Sequence, residues 1–118
     1  MPSDVGTDVA GFRTTGSPQS SLRVEVWGYW TPEIAQSFTR DAATFVPKLT
    51  TASALLIDAT NLKPQSVEGQ EALRVFFRTL AAASFDKAAL QTDNVLTRMQ
   101  LTRLLRECGL DGRVGFER

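Results

Sequence analysis

The chain has 118 residues, 42% of them hydrophobic and 22% charged, with 13 basic residues balancing 13 acidic ones. These values fit one ordinary soluble domain, and zero net charge gives no general attraction to nucleic acid or to an anionic membrane. There is no apolar run long enough for a membrane span, and the N-terminal residues lack the basic and apolar regions of a secretory signal. We therefore expect a cytoplasmic location and no nucleic-acid partner.

The residue types needed for common catalytic chemistry are missing. The chain has no histidine, which removes histidine-based triads and the usual zinc ligands. Cys108 is the only cysteine, so no intramolecular disulfide forms, and we interpret it as a packed, unreactive thiol. Asp58 follows an apolar run but has no second carboxylate at a fixed spacing. The sequence predicts no catalytic residue, no cofactor and no metal.

The N-terminal part predicts a flexible segment over residues 1–8, followed by a single domain over 9–118. Residues 9–15 give a weak signal for an edge strand. Residues 22–27 alternate apolar with polar side chains, which predicts a strand with one covered face that ends at Gly28. Thr31 and Pro32 are typical of a helix start, and Ile34, Phe38 and Ala42 form an apolar stripe behind them.

The second half alternates strands with helices. The apolar run 54–57 predicts a central strand covered on both faces, and residues 58–65 a polar loop. Helices are predicted over 66–83 and from residues 92–93 to Cys108, the latter ending at Gly109, with strands at 85–90 and 113–116. The fold class is therefore α/β, a mixed β-sheet covered by three main helices in the order β-β-α-β-α-β-α-β.

Three stretches carry a family resemblance: LRVEVWGYWTPEIAQSF, ALLIDATNLKPQSVEGQEALRVFF and KAALQTDNVLTRMQLTRLL. Over about residues 9 to 117 the chain resembles the STAS domain, the fold of anti-sigma-factor antagonists. The resemblance implies a protein-interaction module with a regulatory serine near the start of the second helix. It departs at Ser66-Val67-Glu68-Gly69, where Glu68 stands in the place of the family's phosphorylatable serine and Ser66 in the place of its aspartate.

Ser66 and Val75 have two interpretations each. Ser66 is a helix N-cap by its residue type, and it is also the candidate phosphorylation residue. Val75 lies opposite the apolar stripe of its helix, either as a single exposed apolar residue or as part of an interface.

The third helix and the aromatic residues also leave alternatives open. Val95, Leu96 and Met99 form a second apolar face, which either contacts a partner or is buried under the N-terminal segment. The arginines 98, 103 and 106 on this helix are interpreted as a solvated face. Trp27, Tyr29 and Trp30 either line a ligand pocket or cover the edge of the core.

The expected function is a non-catalytic regulatory interaction module, with another regulatory protein such as an anti-sigma factor as its partner. The predicted partner-binding residues are Lys63, Gln65, Ser66, Glu68, Glu71, Val75 and Met99. Two alternatives stay open: a binder of a small apolar or lipid-like ligand, and a homodimer or larger homo-oligomeric scaffold.

Overall fold

The computed structural model describes residues 3–117, which form an α/β fold with a mixed six-stranded sheet and three helices. The strands are β1 (Ser3–Gly6), β2 (Gly11–Gly16), β3 (Ser21–Gly28), β4 (Ala54–Leu62), β5 (Ala88–Gln91) and β6 (Val114–Glu117). The helices are α1 (Pro32–Phe45), α2 (Val67–Ala81) and α3 (Val95–Glu107), and a short 3-10 turn, Val46–Lys48, follows α1. The predicted fold class and element order are confirmed, with one additional strand at the N-terminal side.

The strands lie in the order in which they occur in the chain, β1-β2-β3-β4-β5-β6. The pairs β1–β2 and β2–β3 are antiparallel, and the three pairs from β3 to β6 are parallel. Each parallel step passes through one helix and moves in the same direction, so right-handed crossovers place all three helices on one face of the sheet. The parallel strands therefore finish, and the helices begin, at a single end of the domain, which we call the helix-start end.

Strand β1 lies within the segment 1–8 that the sequence predicted to be flexible. Ser3–Gly6 pairs with β2, and Asp4 forms an ion pair with Arg13 at 3.2 Å. Four residues are too short a run to show a clear alternation, which is why the strand was not predicted. The first two residues of that segment lie outside the described part of the chain.

Strand β4 corrects two predictions. It continues through the predicted polar loop as far as Leu62, because Ala59 and Leu62 point into the core and are each 1% exposed. Helices cover only one of its faces. On the opposite face Asp58 pairs with Arg23 and accepts hydrogen bonds from the backbone N–H and hydroxyl of Thr60, at 3.1 and 2.6 Å. These bonds satisfy a carboxylate within the strand.

The core between the sheet and the helices is rich in aromatic rings. Phe38 of α1 is in edge-to-face contact with Phe12 of β2 and Phe76 of α2, at centroid distances of 5.1 and 5.0 Å. Such pairs add stabilisation to the burial of the rings themselves. They fix α1 and α2 against the sheet and against each other.

Local signals set the helix ends, with small shifts. Thr31 caps α1 as predicted, whereas Asn94, not residue 92 or 93, caps α3 by accepting a bond from Thr97 N–H at 3.0 Å. Gly109 follows α3 with a φ of 73°, the left-handed conformation typical of a helix C-terminus. Within residues 3–117, no helix combines the length and the hydropathy that crossing a membrane requires.

Candidate functional site

Among residues 3–117, the large apolar side chains that are exposed lie at one end of the domain. They are Val9, Tyr29, Val67, Val95, Leu96 and Met99, each between 54% and 77% exposed. Val9 is in the β1–β2 turn, Tyr29 follows β3, Val67 begins α2, and the other three lie in the first two turns of α3. All of these positions are at the helix-start end. Single exposed apolar residues are common, but their collection at one end marks a candidate binding surface.

The buried side chain of Gln65 holds in place the loop of residues 63–66, which joins β4 to α2 at this surface. Its side-chain Oε1 accepts a hydrogen bond from Trp30 N–H at 3.0 Å, and its Nε2 donates to the carbonyls of Gly28 and Lys63 at 2.8 and 2.7 Å. Gln65 is 5% exposed. Gln65, predicted as a partner-binding residue, is thus placed beneath the surface, where its side chain joins the end of β3 to the loop before α2.

The start of α3 is held against the same loop. The side-chain amide of Gln100 accepts from Gln65 N–H at 2.8 Å and donates to the Gln65 carbonyl at 3.2 Å. The hydroxyl of Thr97 donates to the carbonyl of Leu62 at 2.7 Å. These bonds join residues far apart in the chain, and no local pattern in the sequence pointed to them.

Ser66 is the N-cap of α2, as its residue type predicted. Its hydroxyl accepts a hydrogen bond from Gly69 N–H at 3.3 Å, and its backbone is extended. Ser66 is half-buried, whereas Glu68 in the first turn is exposed. A carboxylate there interacts favourably with the positive end of the helix dipole. Modification of Ser66 stays a prediction.

A groove of about 650 Å³ runs between α1 and α2. Its floor and walls include Ala35, Thr39 and Ala43 of α1 and Val67, Ala72 and Val75 of α2. Val75 was predicted to be exposed, but it is half-buried. The small side chains of α1 leave the space that Val75 lines. Glu68 and Glu71 also border this α1–α2 groove.

A polar network closes the surface between α2 and α3. Arg74 donates to Glu107 at 2.9 Å and to Glu71 at 2.5 Å, and Arg103 donates to Gln70. The hydrogen bonds to Glu107 and Glu71 raise the pKa of Arg74. The hydrogen bond from Arg74 is the main reason why the pKa of Glu107 lies below its usual value. We call this network the α2–α3 seam.

The seam divides the residues that the sequence predicted to form one docking surface. Glu68 and Val75 lie on its α1 side, in the groove, and Met99 lies on α3 at its other side. Glu71 belongs to the seam and also borders the groove. Lys63 is exposed in the loop before α2. The helix-start end brings the loop, the first turn of α2 and the first half of α3 together, while Val75 lies two turns further along the groove.

The second apolar face of α3 is exposed. Val95 is 73% exposed, Leu96 60% and Met99 63%. Burial under the N-terminal segment, one of the two interpretations from sequence, is therefore wrong, because that segment adds a strand at the far side of β2. Arg98 beside this face stacks over the ring of Phe116, with its guanidinium carbon 4.3 Å from the ring centroid.

The three neighbouring aromatic residues do not line a common pocket. Trp30 is 1% exposed and donates its indole N–H to the carbonyl of Gly11 at 3.0 Å. The indole of Trp27 donates to the carbonyl of Thr7 at 2.8 Å, and Tyr29 is exposed. The interpretation that at least one of them closes the core fits Trp30. The aromatic cluster therefore gives no support to a ligand pocket.

Two further observations concern reactive groups. Cys108 is half-buried, and burial raises the pKa of its thiol, so its reactive thiolate is disfavoured. Among residues 3–117, no group of three or more cysteine, aspartate or glutamate side chains is placed to hold a metal ion.

No protein-family model and no curated protein matches the chain.

Proposed function

We propose that this chain is a non-catalytic protein-interaction module whose docking surface is the helix-start end. The observation that carries the proposal is the collection of Val9, Tyr29, Val67, Val95, Leu96 and Met99 at that end. The resemblance of the chain to anti-sigma-factor antagonists supports a regulatory protein as the partner.

The rigidity of this surface also supports docking. Gln65 and Gln100 tie the loop before α2 to the end of β3 and to α3 with four hydrogen bonds, and a fifth, to the Lys63 carbonyl, lies within the loop. A loop that is already ordered loses little conformational entropy when a partner binds. The chain therefore presents Val67 and Met99 at fixed positions, as interface anchors require.

Methionine and valine at the centre of the surface fit an apolar contact with a polar rim. Met99 is flexible and polarisable, so it adapts to the shape of a partner. Lys63 and Glu68 lie nearby and are exposed. Charged residues at the edge of such a contact set the orientation and the association rate of the partner more than its affinity.

Site-specific photo-cross-linking tests the proposal. A photoreactive amino acid is placed at Val67 or at Met99, and as a control at the exposed Gln19 in the turn at the opposite end. In cells that express the chain, we expect both helix-start positions to cross-link the same second protein and the control position to give no such product. Equal products from all three positions, or none at Val67 and Met99, would contradict the proposal.

A small apolar ligand is the second candidate function, and the α1–α2 groove is the observation in its favour. The groove has a volume of about 650 Å³ and is bordered by alanine and valine side chains. Native mass spectrometry of protein purified from its own cells tests this function. A retained, constant added mass that is lost in Val75→Trp, which fills the groove, would support it, and the unliganded mass alone would reject it.

A further inference from the structure

The last strand of the sheet, β6, has one open edge. Among the strands of the described chain, β5 alone pairs with it. Successive residues of a strand direct their backbone groups to opposite sides. Ala88 N–H of β5 donates to the carbonyl of Arg113 at 2.8 Å, so the odd-numbered residues of this segment face β5. The carbonyl of Val114 and both backbone groups of Phe116 therefore point outward.

A groove follows this open edge on the helical side of the sheet. It has a volume of about 520 Å³ and lies between β6, which contributes Val114 and Phe116, and the outer flank of α3. Arg98, Thr102 and Arg106 line that flank at intervals of four residues. We call this site the β6-edge groove.

The two arginines of the groove have charges to offer a ligand. Both are exposed, and neither forms an ion pair with another residue of the described chain. The guanidinium carbon of Arg98 lies over the ring of Phe116, 4.3 Å from its centroid. This stacking holds one positive charge beside the residue whose backbone groups point outward, and a group that is already positioned loses less entropy on binding.

The spacing on α3 matches the spacing of side chains along a strand. Residues four apart on a helix are separated by about 6 Å along its axis, and alternate residues of a strand by about 6.6 Å. Helix α3 begins at the end of the domain where β6 finishes, so the two run antiparallel. A strand lying along β6 would therefore direct its residues i, i+2 and i+4 towards Arg98, Thr102 and Arg106 in turn.

We propose that the β6-edge groove binds an extended acidic segment of a partner protein, which adds to the sheet as a further strand. The segment carries acidic side chains at i and i+4 and a small apolar side chain at i+2. Its backbone pairs with the outward groups of Val114 and Phe116. Its carboxylates form charge-assisted hydrogen bonds with Arg98 and Arg106. The pattern is the same in both chain directions, so it suits a parallel or an antiparallel strand.

The charges around the edge favour such a segment over other occupants. Asp111 lines the groove, and Glu117 of β6 lies on the opposite face of the sheet, so both would repel a continuous anionic surface such as a membrane. A second copy does not supply the acidic pattern from its own edge strand β1, because Asp4 of that strand is paired with Arg13 at 3.2 Å. The groove is not part of the helix-start docking surface, so this proposal does not rest on the proposed function.

Fluorescence anisotropy with a labelled synthetic peptide tests the charge pattern. The probe carries Glu-Thr-Val-Thr-Glu between serines, and its control has glutamine in place of both glutamates. We expect the probe to bind and the control to bind about tenfold more weakly, since two charge-assisted hydrogen bonds are lost. Binding of both peptides with equal affinity, or no binding of the probe at about 1 mM, would overturn the proposal.

Variants of the chain locate the binding site. Arg98→Gln combined with Arg106→Gln should weaken binding of the probe about tenfold. Arg106→Gln alone breaks no ion pair within the described residues, so it keeps the test valid if the double variant is less stable. The control Arg103→Gln removes the same charge from the flank of α3 that faces Gln70, and it should leave the affinity nearly unchanged. Equal effects of Arg106→Gln and Arg103→Gln would place the peptide elsewhere.

Amide hydrogen exchange, followed by NMR, tests the addition of a strand. Peptide binding should slow exchange at Phe116 N–H about tenfold or more, because that group gains a hydrogen bond. Exchange at Gly115 N–H, which already faces β5, should change little. N-methylation of the central valine of the probe blocks one strand orientation, and N-methylation of both threonines blocks the other. One of these two peptides should therefore lose binding, whereas equal effects of the two, or unchanged exchange at Phe116, would contradict strand addition.

Discussion

The side-chain amide of Gln100 pairs with both backbone polar groups of Gln65, accepting from its N–H at 2.8 Å and donating to its carbonyl at 3.2 Å. A residue in the second turn of α3 thereby holds the chain just before α2. The side chain of Gln65 in turn holds the end of β3. Gln65 therefore connects three parts of the candidate surface: the end of β3, the loop before α2 and the start of α3.

Replacing Gln65 should destabilise the fold more than an ordinary polar substitution. Gln65→Ala leaves the buried Trp30 N–H without its acceptor, which costs about 1–3 kcal/mol, and the Gly28 carbonyl keeps only its 3.2 Å bond from Lys63 N–H. We expect a loss of about 3 kcal/mol in the free energy of unfolding, measured by urea denaturation. The exposed Gln36→Ala, as a control, should change it by less than about 0.5 kcal/mol.

Gln65→Glu distinguishes the contribution of the hydrogen bonds to stability from the contribution of side-chain packing. It keeps the shape of the side chain and an acceptor for Trp30, but it presents oxygen where Nε2 now donates to two carbonyls. We expect it to be at least as destabilising as Gln65→Ala. Wild-type stability for Gln65→Glu would show that the network contributes little.

Gly69 should resist substitution although it lies inside a helix. Alanine normally favours a helix by about 1 kcal/mol over glycine. Here a Cβ would lie 2.5 Å from Oε1 and 2.9 Å from Cβ of Gln65, so we expect Gly69→Ala to lower stability by about 1–3 kcal/mol. The cost should shrink in a Gln65→Ala background, because the closest atom is then absent.

Gly115→Ala is the matched control for Gly69→Ala. An added Cβ at Gly115 meets no atom within 4 Å, so its effect on the urea midpoint should be small. Equal effects of the two alanine substitutions would contradict the clash with Gln65.

Ser66 should be replaceable by aspartate but not by alanine. Ser66→Ala removes the acceptor for Gly69 N–H and should cost about 1 kcal/mol, while Ser66→Asp keeps a good cap and should stay close to the wild type. Thermal unfolding measures both, and the exposed Ser84→Ala serves as the control. A loss with Ser66→Asp equal to that with Ser66→Ala would show that the cap is not the stabilising contact.

The pKa of Glu107 should depend on Arg74. The hydrogen bond from Arg74 is the largest of the contributions that lower this pKa, so Arg74→Leu should return it towards the usual glutamate value. A smaller rise is expected for Arg78→Leu, whose charge acts at longer range. Carbon-13 NMR titration of the carboxyl group measures both shifts, and an unchanged Glu107 in Arg74→Leu would contradict the ion pair in solution.

The lowered pKa of Glu107 also determines how the stability of the fold depends on pH. Because the pKa of Glu107 is lowered in the folded state, the stabilisation from this pair is present above the usual glutamate pKa. It is lost as the pH falls through the lowered pKa. The wild type and Arg74→Leu should therefore converge in relative stability at low pH.

The sequence by itself determined the elements whose signals are local. The alternation over residues 22–27 predicted β3, Thr31 with Pro32 predicted the start of α1, and Ser66 predicted the cap of α2, and all three are confirmed. Each of these signals is carried by residues that lie close together in the chain. The succession of strands and helices then limited the fold to an α/β sheet with crossover helices.

Only the tertiary structure decided which residues reach the surface. Gln65 is as polar as its exposed neighbour Lys63, but it is buried because its partners lie at Gly28 and Trp30, 37 and 35 residues away. Val75 lines a groove because α1 presents small side chains there. Hydrogen bonds and packing between distant segments leave no periodic pattern in the chain, so they emerge only when the sheet brings those segments together.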